Sequence, residues 1–144
     1  MLEVMLFLHI VGAVGMGVYA ILPFVVGKFK QISGAAQEGL ARGLIAGGRI
    51  GQYALVLQLL TGGYLISNSE MPDYTVGWMI TIIVVFVAIG ALSGVVQGPL
   101  KKIAAASVNG ENASSLISKV RTLSVLIFVL FMVILWLMQV PWTK

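Results

Sequence analysis

Four long apolar stretches dominate this sequence, and they restrict its fold more than any other feature. They lie at about residues 4–27, 44–66, 77–98 and 123–140. A helix of about 20 mainly apolar residues is long enough to cross the hydrocarbon core of a bilayer. Inside that core a helix satisfies all of its own backbone hydrogen bonds. The sequence therefore predicts an all-α, four-helix transmembrane bundle with antiparallel neighbours, formed by residues 1–144 as a single domain.

The composition agrees with a lipid-embedded chain and excludes several kinds of site. Of the 144 residues, 59% are hydrophobic and 10% are charged, whereas soluble domains carry about 25% charged residues. The mean hydropathy is +1.02. The chain has no cysteine and one histidine, which excludes disulfides, thiolate metal sites and a His-rich zinc site within one chain.

The basic residues sort between the connections and predict an orientation. The second connection has no Lys or Arg and carries Glu70 and Asp73. The first and third connections are flanked by Lys28, Lys30, Arg42, Lys101, Lys102, Lys119 and Arg121. The positive-inside rule then places both basic connections in the cytoplasm and both termini outside. We expect a multi-pass protein of the bacterial inner (plasma) membrane whose net charge of +4 reflects this topology and not nucleic-acid binding.

Each half of the chain consists of a helix, a basic loop and a returning helix. Because both halves start on the same side, this outline predicts a parallel repeat of two hairpins. Pro99 lies at the end of the third predicted span, where proline commonly marks a helix end.

Glycines recur every four residues in the second and third spans. The two stripes consist of Gly43, Gly47 and Gly51, and of Gly90, Gly94 and Gly98. Residues four apart share a helix face, and small residues there allow two helices in lipid to approach closely. The pattern predicts that spans two and three cross closely in their cytoplasmic halves. A homodimer interface, contact with a membrane partner protein and a flexible gate are the functional alternatives.

Arg49 is a charged residue placed inside the second span. An arginine near the end of a span extends its guanidinium to the headgroups, and otherwise it marks a functional site. Gln52 lies nearby on the same span, and Gln97 lies at similar depth on span three. The two interpretations are therefore snorkelling and a cationic site for an anion, such as a carboxylate, a phosphate or a lipid headgroup.

His9 is the one side chain suited to proton transfer near neutral pH or to metal ligation. Met5 and Met16 fall on its side of the first span, and Gln58 of span two lies at similar depth. An imidazole with soft thioethers suits Cu(I). A hydrogen bond from Gln58 would instead make His9 structural. Three interpretations follow: a hydrogen-bonded histidine, a haem ligand, or a copper ligand together with Met5 and Met16.

Short segments resemble a known group of proteins. The segments are LHIVGA at 8–13, LQLLTGGYL at 57–65 and LMQVP at 137–141, and they resemble small bacterial four-span proteins related to copper-resistance protein D. The opening segment is also similar to the membrane-bound, haem-containing type of protoporphyrinogen oxidase. That second resemblance implies a haem-ligand role for His9, although the third span here has no Lys or Arg before Lys101.

No catalytic constellation is visible in the sequence. The acidic residues all lie near span ends or in loops, which argues against a proton- or sodium-coupled carrier. The leading interpretation is therefore non-enzymatic: ligand binding, transport or an accessory role in the lipid bilayer. The alternatives are a redox protein that holds haem b or copper through His9, and a structural module that works through helix interactions.

Overall fold

The structure, a computed structural model, describes residues 1–68 and 75–140. Glu70 and Asp73 of the second connection, and Pro141 of the closing segment, lie outside the described residues. The described part consists of helices without strands: α1 (Leu2–Gly15), α2 (Val18–Val26), a 3₁₀ turn (Gly27–Gln31), α3 (Gly34–Asn68), α4 (Val76–Asn109) and α5 (Ser114–Gln139). The predicted all-α fold is confirmed.

Four helical segments are long and apolar enough to cross a membrane: Leu2–Gln31, Gly34–Asn68, Val76–Asn109 and Ser114–Gln139. We refer to them as spans one to four, and α1, α2 and the 3₁₀ turn together form span one. The predicted number of spans is thereby confirmed. Large apolar side chains such as Phe7, Phe24 and Val87 are exposed on the outside of the bundle, as expected for surfaces that face lipid.

The helices are longer than the apolar stretches that revealed them. Helix α3 begins at Gly34, ahead of the predicted span at 44–66. Helix α4 continues through Pro99 to Asn109 and does not end near residue 98. At a rise of 1.5 Å per residue, helices of this length extend roughly 50 Å, which exceeds the hydrocarbon core of about 30 Å. Hydropathy finds only the apolar part of each helix, so the polar extensions were missed.

Successive spans run antiparallel and pack in a ring. Helix α3 packs against α1 and α4, and α5 packs against α4 and α2. Trp78, at the start of α4, donates a 2.9 Å hydrogen bond from Nε1 to the carbonyl oxygen of Leu137, near the end of α5. Span one changes its main neighbour along its length, because α1 packs against α3 and α2 packs mainly against α5.

The change of neighbour coincides with a break in span one. Helix α1 ends at Gly15 and α2 begins at Val18. Between them the amide of Gly17 donates a 3.0 Å hydrogen bond to the carbonyl oxygen of Val14, three residues back, which tightens the helix locally. Pro23 lies inside α2, so the break is at the glycines and not at the proline.

The two connections at 27–33 and 110–113 lie at the same end of the bundle, where they border one cavity. We call this the basic end, because Lys28, Lys30, Lys101 and Lys102 lie close to it. Gly110 closes α4 in the left-handed conformation with φ of +70°, a conformation that side chains other than glycine rarely adopt.

Candidate functional site

Span one and α3 approach each other closely at two glycines of α1. A Cβ atom added to Gly12 would lie 2.6 Å from Gln58 Oε1, and one added to Gly15 would lie 2.7 Å from the Cβ of Ala54. Carbon atoms in contact normally stay about 3.5–4.0 Å apart. Glycine is therefore required for this approach, and we call the interface at these residues the seam. Gly12 and Gly15 do not form a four-residue stripe, so their packing role was not predictable from glycine spacing.

The predicted stripe on α3 contributes to the seam. A Cβ at Gly51 would lie 2.7 Å from Tyr19 Cζ and 2.8 Å from Val18 Cγ1, and one at Gly47 would lie 3.2 Å from Val18 Cγ2. Nothing lies within 4 Å of a Cβ at Gly43. Gly47 and Gly51 thus contact span one, and not span three as the sequence analysis expected.

The predicted stripe on α4 is loosely packed. A Cβ at Gly90 would lie 3.9 Å from Leu55, one at Gly94 would lie 3.9 Å from Gln52, and one at Gly98 would have nothing within 4 Å. These are ordinary contacts or open space. Helices α3 and α4 pack against each other, but side chains such as Leu55 and Gln52 separate the backbones, so the two glycine stripes do not meet.

His9 lies on the seam near the end of the bundle that is opposite the basic end. Its Nδ1 is 2.8 Å from Thr61 Oγ1. The Thr61 hydroxyl group donates its single proton to the carbonyl oxygen of Leu57, at 2.7 Å, so it can only accept from the imidazole. With the Thr61 proton donated to a backbone carbonyl oxygen, a neutral imidazole that donates to Thr61 carries its proton on Nδ1 and a lone pair on Nε2. The side-chain partner of His9 is thus Thr61, and the backbone of the predicted Gln58 also lies near the imidazole.

Gln58 lies one turn further along the seam and is 3% exposed. Its Oε1 is buried and accepts no hydrogen bond from the described residues. The same atom packs against the backbone at Gly12. Gln58 therefore presents an unsatisfied acceptor inside the bundle.

Tyr19 lies at the centre of the bundle and is 1% exposed. Its ring contacts Gly51 of α3 and packs edge-on against Phe131 of α5, with ring centroids 6.4 Å apart at 67°. Ser93 of α4 lies near its hydroxyl group. The Ser93 proton is donated to the carbonyl oxygen of Gly90, at 2.9 Å. No hydrogen bond of acceptable geometry joins Tyr19 Oη to any described group.

Gln97 lies one turn from Ser93, on the same side of α4. Both polar atoms of its amide group are buried and have no hydrogen-bond partner among the described residues. The amide nitrogen packs directly against Gly48 of α3, where an added Cβ would overlap it. Gly48 is one turn from Gly51, so Tyr19, Ser93 and Gln97 converge on one stretch of α3. We call these three side chains the inner polar cluster.

The structure separates the three residues that the sequence analysis grouped around an anion. Gln97 contacts α3 at Gly48, and Gln52 is half-buried against α4 near Gly94. Arg49 follows Gly48 directly but is exposed on the outside of the bundle. Arg49 therefore does not point into the inner polar cluster.

The candidate metal ligands do not all lie close to His9. Met5 lies one turn from His9 and is half-buried. Met16 lies beyond the end of α1, roughly 10 Å further along the helix axis, and packs in the core. Within residues 1–68 and 75–140, no group of three or more His, Cys, Asp or Glu side chains could hold a metal ion. Of the two predicted methionines, Met5 is thus the one that remains near His9.

Comparison with known proteins gives one match. Residues 3–140 match the model of a family described as "Predicted integral membrane protein (DUF2269)". No curated protein matches, and no solved structure matches. The match carries no relation to copper-resistance protein D or to protoporphyrinogen oxidase, so those resemblances stay hypotheses.

Proposed function

The chain belongs to the DUF2269 family of predicted integral membrane proteins, and from that premise we propose that it binds a small neutral ligand inside its bundle without catalysing a reaction. One observation carries the proposal. Tyr19 Oη and both amide atoms of Gln97 are buried in the membrane-embedded core and have no partner among the described residues.

The free energy of these groups argues against a purely structural role. A buried polar group without a partner costs about 1–3 kcal/mol, and hydrocarbon supplies no water to reduce that cost. Phenylalanine at position 19 and leucine at position 97 would keep most of the packing and avoid it. Buried polar groups without hydrogen-bond partners are unfavourable for folding, and such unfavourable features are commonly found at functional sites. A ligand that completes the hydrogen bonds explains why polar residues occupy both positions.

The chemistry of the inner polar cluster defines the ligand class. Its side chains are a phenol, an alcohol and an amide, which together offer donors and acceptors. Arg49, the nearest charged residue along α3, is exposed on the outside. The cluster thus favours an uncharged molecule with both hydroxyl or N–H donors and oxygen acceptors. Because the surrounding core is tightly packed, the ligand is small.

The orientation and location are part of the same proposal. Both connections flanked by Lys and Arg lie at the basic end, and cytoplasmic loops carry the excess of these residues. The basic end then faces the cytoplasm of a cell whose plasma membrane holds the protein, and the inner polar cluster lies in the cytoplasmic half of the bundle.

The test does not require the ligand to be known beforehand. The wild type, Gln97→Leu and the matched control Gln31→Leu, whose glutamine is exposed, are extracted from their native membrane in lipid nanodiscs. Mass spectrometry then identifies the small molecules released on denaturation. We expect a neutral solute, near one per chain, with the wild type and the control, and its loss with Gln97→Leu. Equal amounts from all three proteins, or none from any, would refute the proposal.

A second candidate function has support from the His9 network. In metal sites a ligating histidine commonly donates its other ring N–H to an oxygen that fixes the ring. Thr61 occupies that position at Nδ1, and Nε2 retains its lone pair. Haem b or copper bound at Nε2 would make the protein a membrane redox protein.

The absorption spectrum and copper content of the purified wild type test this second function. We expect His9→Ala to abolish a bound cofactor. Thr61→Val should lower the affinity for the cofactor about 10–100-fold, since this substitution removes the group that orients the imidazole ring. A wild type that carries neither cofactor after reconstitution would rule out the redox role and leave the inner polar cluster unaffected.

A further inference from the structure

A separate cavity opens at the basic end of the bundle. It has a volume of about 470 Å³ and lies between the connection at 27–33 and the start of α5. Phe29 and Ile117 are both buried and form its apolar wall. This size falls in the range of about 300–1,000 Å³ that is typical of small-molecule sites.

Two helices begin at this cavity. Helix α3 starts at Gly34 and α5 starts at Ser114, and residues from the first turn of each line the wall. The N-cap residue of α5 is Ala113, which provides no side-chain cap. Asn112 Oδ1 accepts a 3.0 Å hydrogen bond from the Ser114 amide, and the later first-turn amides receive no such cap. Helix N-termini favour anions because their amide groups and dipoles carry positive charge.

Gln37 adds a polar side chain to the wall of the cavity, independently of the helix N-termini. It is 8% exposed and lines the cavity. Its amide group makes no hydrogen bond with the described residues. Its amide nitrogen and oxygen are open to the cavity and are free to hydrogen-bond to a ligand there.

Charges of both signs border the cavity. Lys30 and Glu111 both line it. Among the described residues, the ion pair that forms joins Arg42 to Glu38, and Lys30 and Glu111 do not pair with each other. A purely anionic ligand would be repelled by Glu111, and a purely cationic one by Lys30. A ligand with both charges satisfies both residues.

We propose that this cavity binds a phosphate ester that carries an ammonium group. The phosphate lies against Lys30 and the first turns of α3 and α5, with Gln37 donating to one of its oxygens. The ammonium pairs with Glu111. Because the basic end lies near the headgroup region, such a group can come from a phosphoethanolamine lipid or from soluble O-phosphoethanolamine. This site is distinct from the inner polar cluster and does not depend on the function proposed there.

Native mass spectrometry of the full chain in detergent tests the proposal. The probes are phosphatidylethanolamine, phosphatidylglycerol and soluble O-phosphoethanolamine, each titrated separately. The variants are Lys30→Gln, Glu111→Gln and the matched control Lys28→Gln, whose lysine is exposed and does not line the cavity. Thermal unfolding of each variant without probe reports whether it is folded.

We expect one phosphatidylethanolamine per chain to bind more tightly than phosphatidylglycerol. Lys30→Gln and Glu111→Gln should each weaken it about tenfold, as expected for the loss of a hydrogen bond to a charged group. Lys28→Gln should bind like the wild type. Binding of O-phosphoethanolamine with the same pattern would identify the free ester as a source, and binding of the lipid alone would identify the membrane. Equal binding of both lipids, equal effects of Lys28→Gln and Lys30→Gln, or binding of no probe would overturn the proposal.

Discussion

Gly51→Ala is the substitution that most directly tests the packing of the seam. The added Cβ would lie 2.7 Å from Tyr19 Cζ, 2.8 Å from Tyr19 Oη and 2.8 Å from Val18 Cγ1. These separations are about 1 Å shorter than normal contacts. Neither neighbour moves easily, because the Tyr19 ring is buried at the bundle centre and a β-branched valine is stiff at χ1 in a helix.

The expected change in the free energy of unfolding follows from two opposing effects. Overpacking a well-packed core costs about 1–3 kcal/mol, whereas replacing glycine by alanine inside a helix gains about 1 kcal/mol. Gly43→Ala on the same helix provides the control, since nothing lies within 4 Å of its added Cβ. Gly43→Ala should show only the stabilisation that comes from replacing glycine by alanine in a helix. The difference in stability between the two variants therefore measures the cost of the steric overlap at Gly51. We expect Gly51→Ala to be about 1–3 kcal/mol less stable than Gly43→Ala.

The free energy of unfolding is measured in mixed micelles by titration with sodium dodecyl sulfate, with helix content followed by circular dichroism. The double variant Gly51→Ala, Val18→Ala removes one of the two obstructing side chains and should recover part of the loss, as residues in contact are energetically coupled. If Gly51→Ala proves as stable as Gly43→Ala, span one and α3 do not approach as closely as described, and the role assigned to the seam glycines is wrong.

Three further predictions concern the ends of the bundle and its orientation. Thr61→Val should lower the free energy of unfolding by about 1–3 kcal/mol, because it leaves His9 without its partner, and an unchanged value in the same titration would contradict that hydrogen bond. Trp78→Phe should lower it by a similar amount, about 1–3 kcal/mol, through loss of the bond that joins α4 to α5, with near-ultraviolet circular dichroism reporting loosened packing. Cysteines introduced singly at Ser67 and Asn112, both exposed, should differ in intact cells: a membrane-impermeant thiol reagent should label the first and not the second, and the opposite pattern would reverse the orientation.

The fold was predictable because hydropathy reports what lipid requires. Each span needs an apolar surface regardless of its neighbours, so a single sequence reveals the four spans. The extensions of α3 to Gly34 and of α4 to Asn109 were not predictable in this way, since helices outside the hydrocarbon no longer need apolar side chains. Pro99 lies within α4 because the rest of the helix provides enough packing and hydrogen bonds to continue beyond it.

The contacts of the candidate site were less predictable, because they depend on the register between helices. Spacing of four residues correctly places Gly47 and Gly51 on one face of α3, but it cannot say whether that face meets span one or span three. The same limit applies to Gln97, which shares its depth with Arg49 but contacts Gly48. Tyr19 drew no attention in the sequence because a single aromatic residue in an apolar stretch is ordinary. Its importance comes from a buried hydroxyl group without a hydrogen-bond partner among the described residues, which only the packed bundle reveals.

The polar groups along the seam lie at two levels: His9, Thr61 and Gln58 form one, and Tyr19 belongs to the other. On α3, Thr61 marks the level of His9 and Gly51 marks the level of Tyr19, so the two levels lie about 15 Å apart along the helix axis. Between them Gly15 meets Ala54 without a polar group, and α1 ends at that point. The apolar contact between Gly15 and Ala54 therefore separates the inner polar cluster from the level of His9. The contact between Gly15 and Ala54 lies next to the break in span one. At such a break a helix can change direction with the loss of few hydrogen bonds. Binding at the inner polar cluster and ligation at His9 can therefore be tested as independent events.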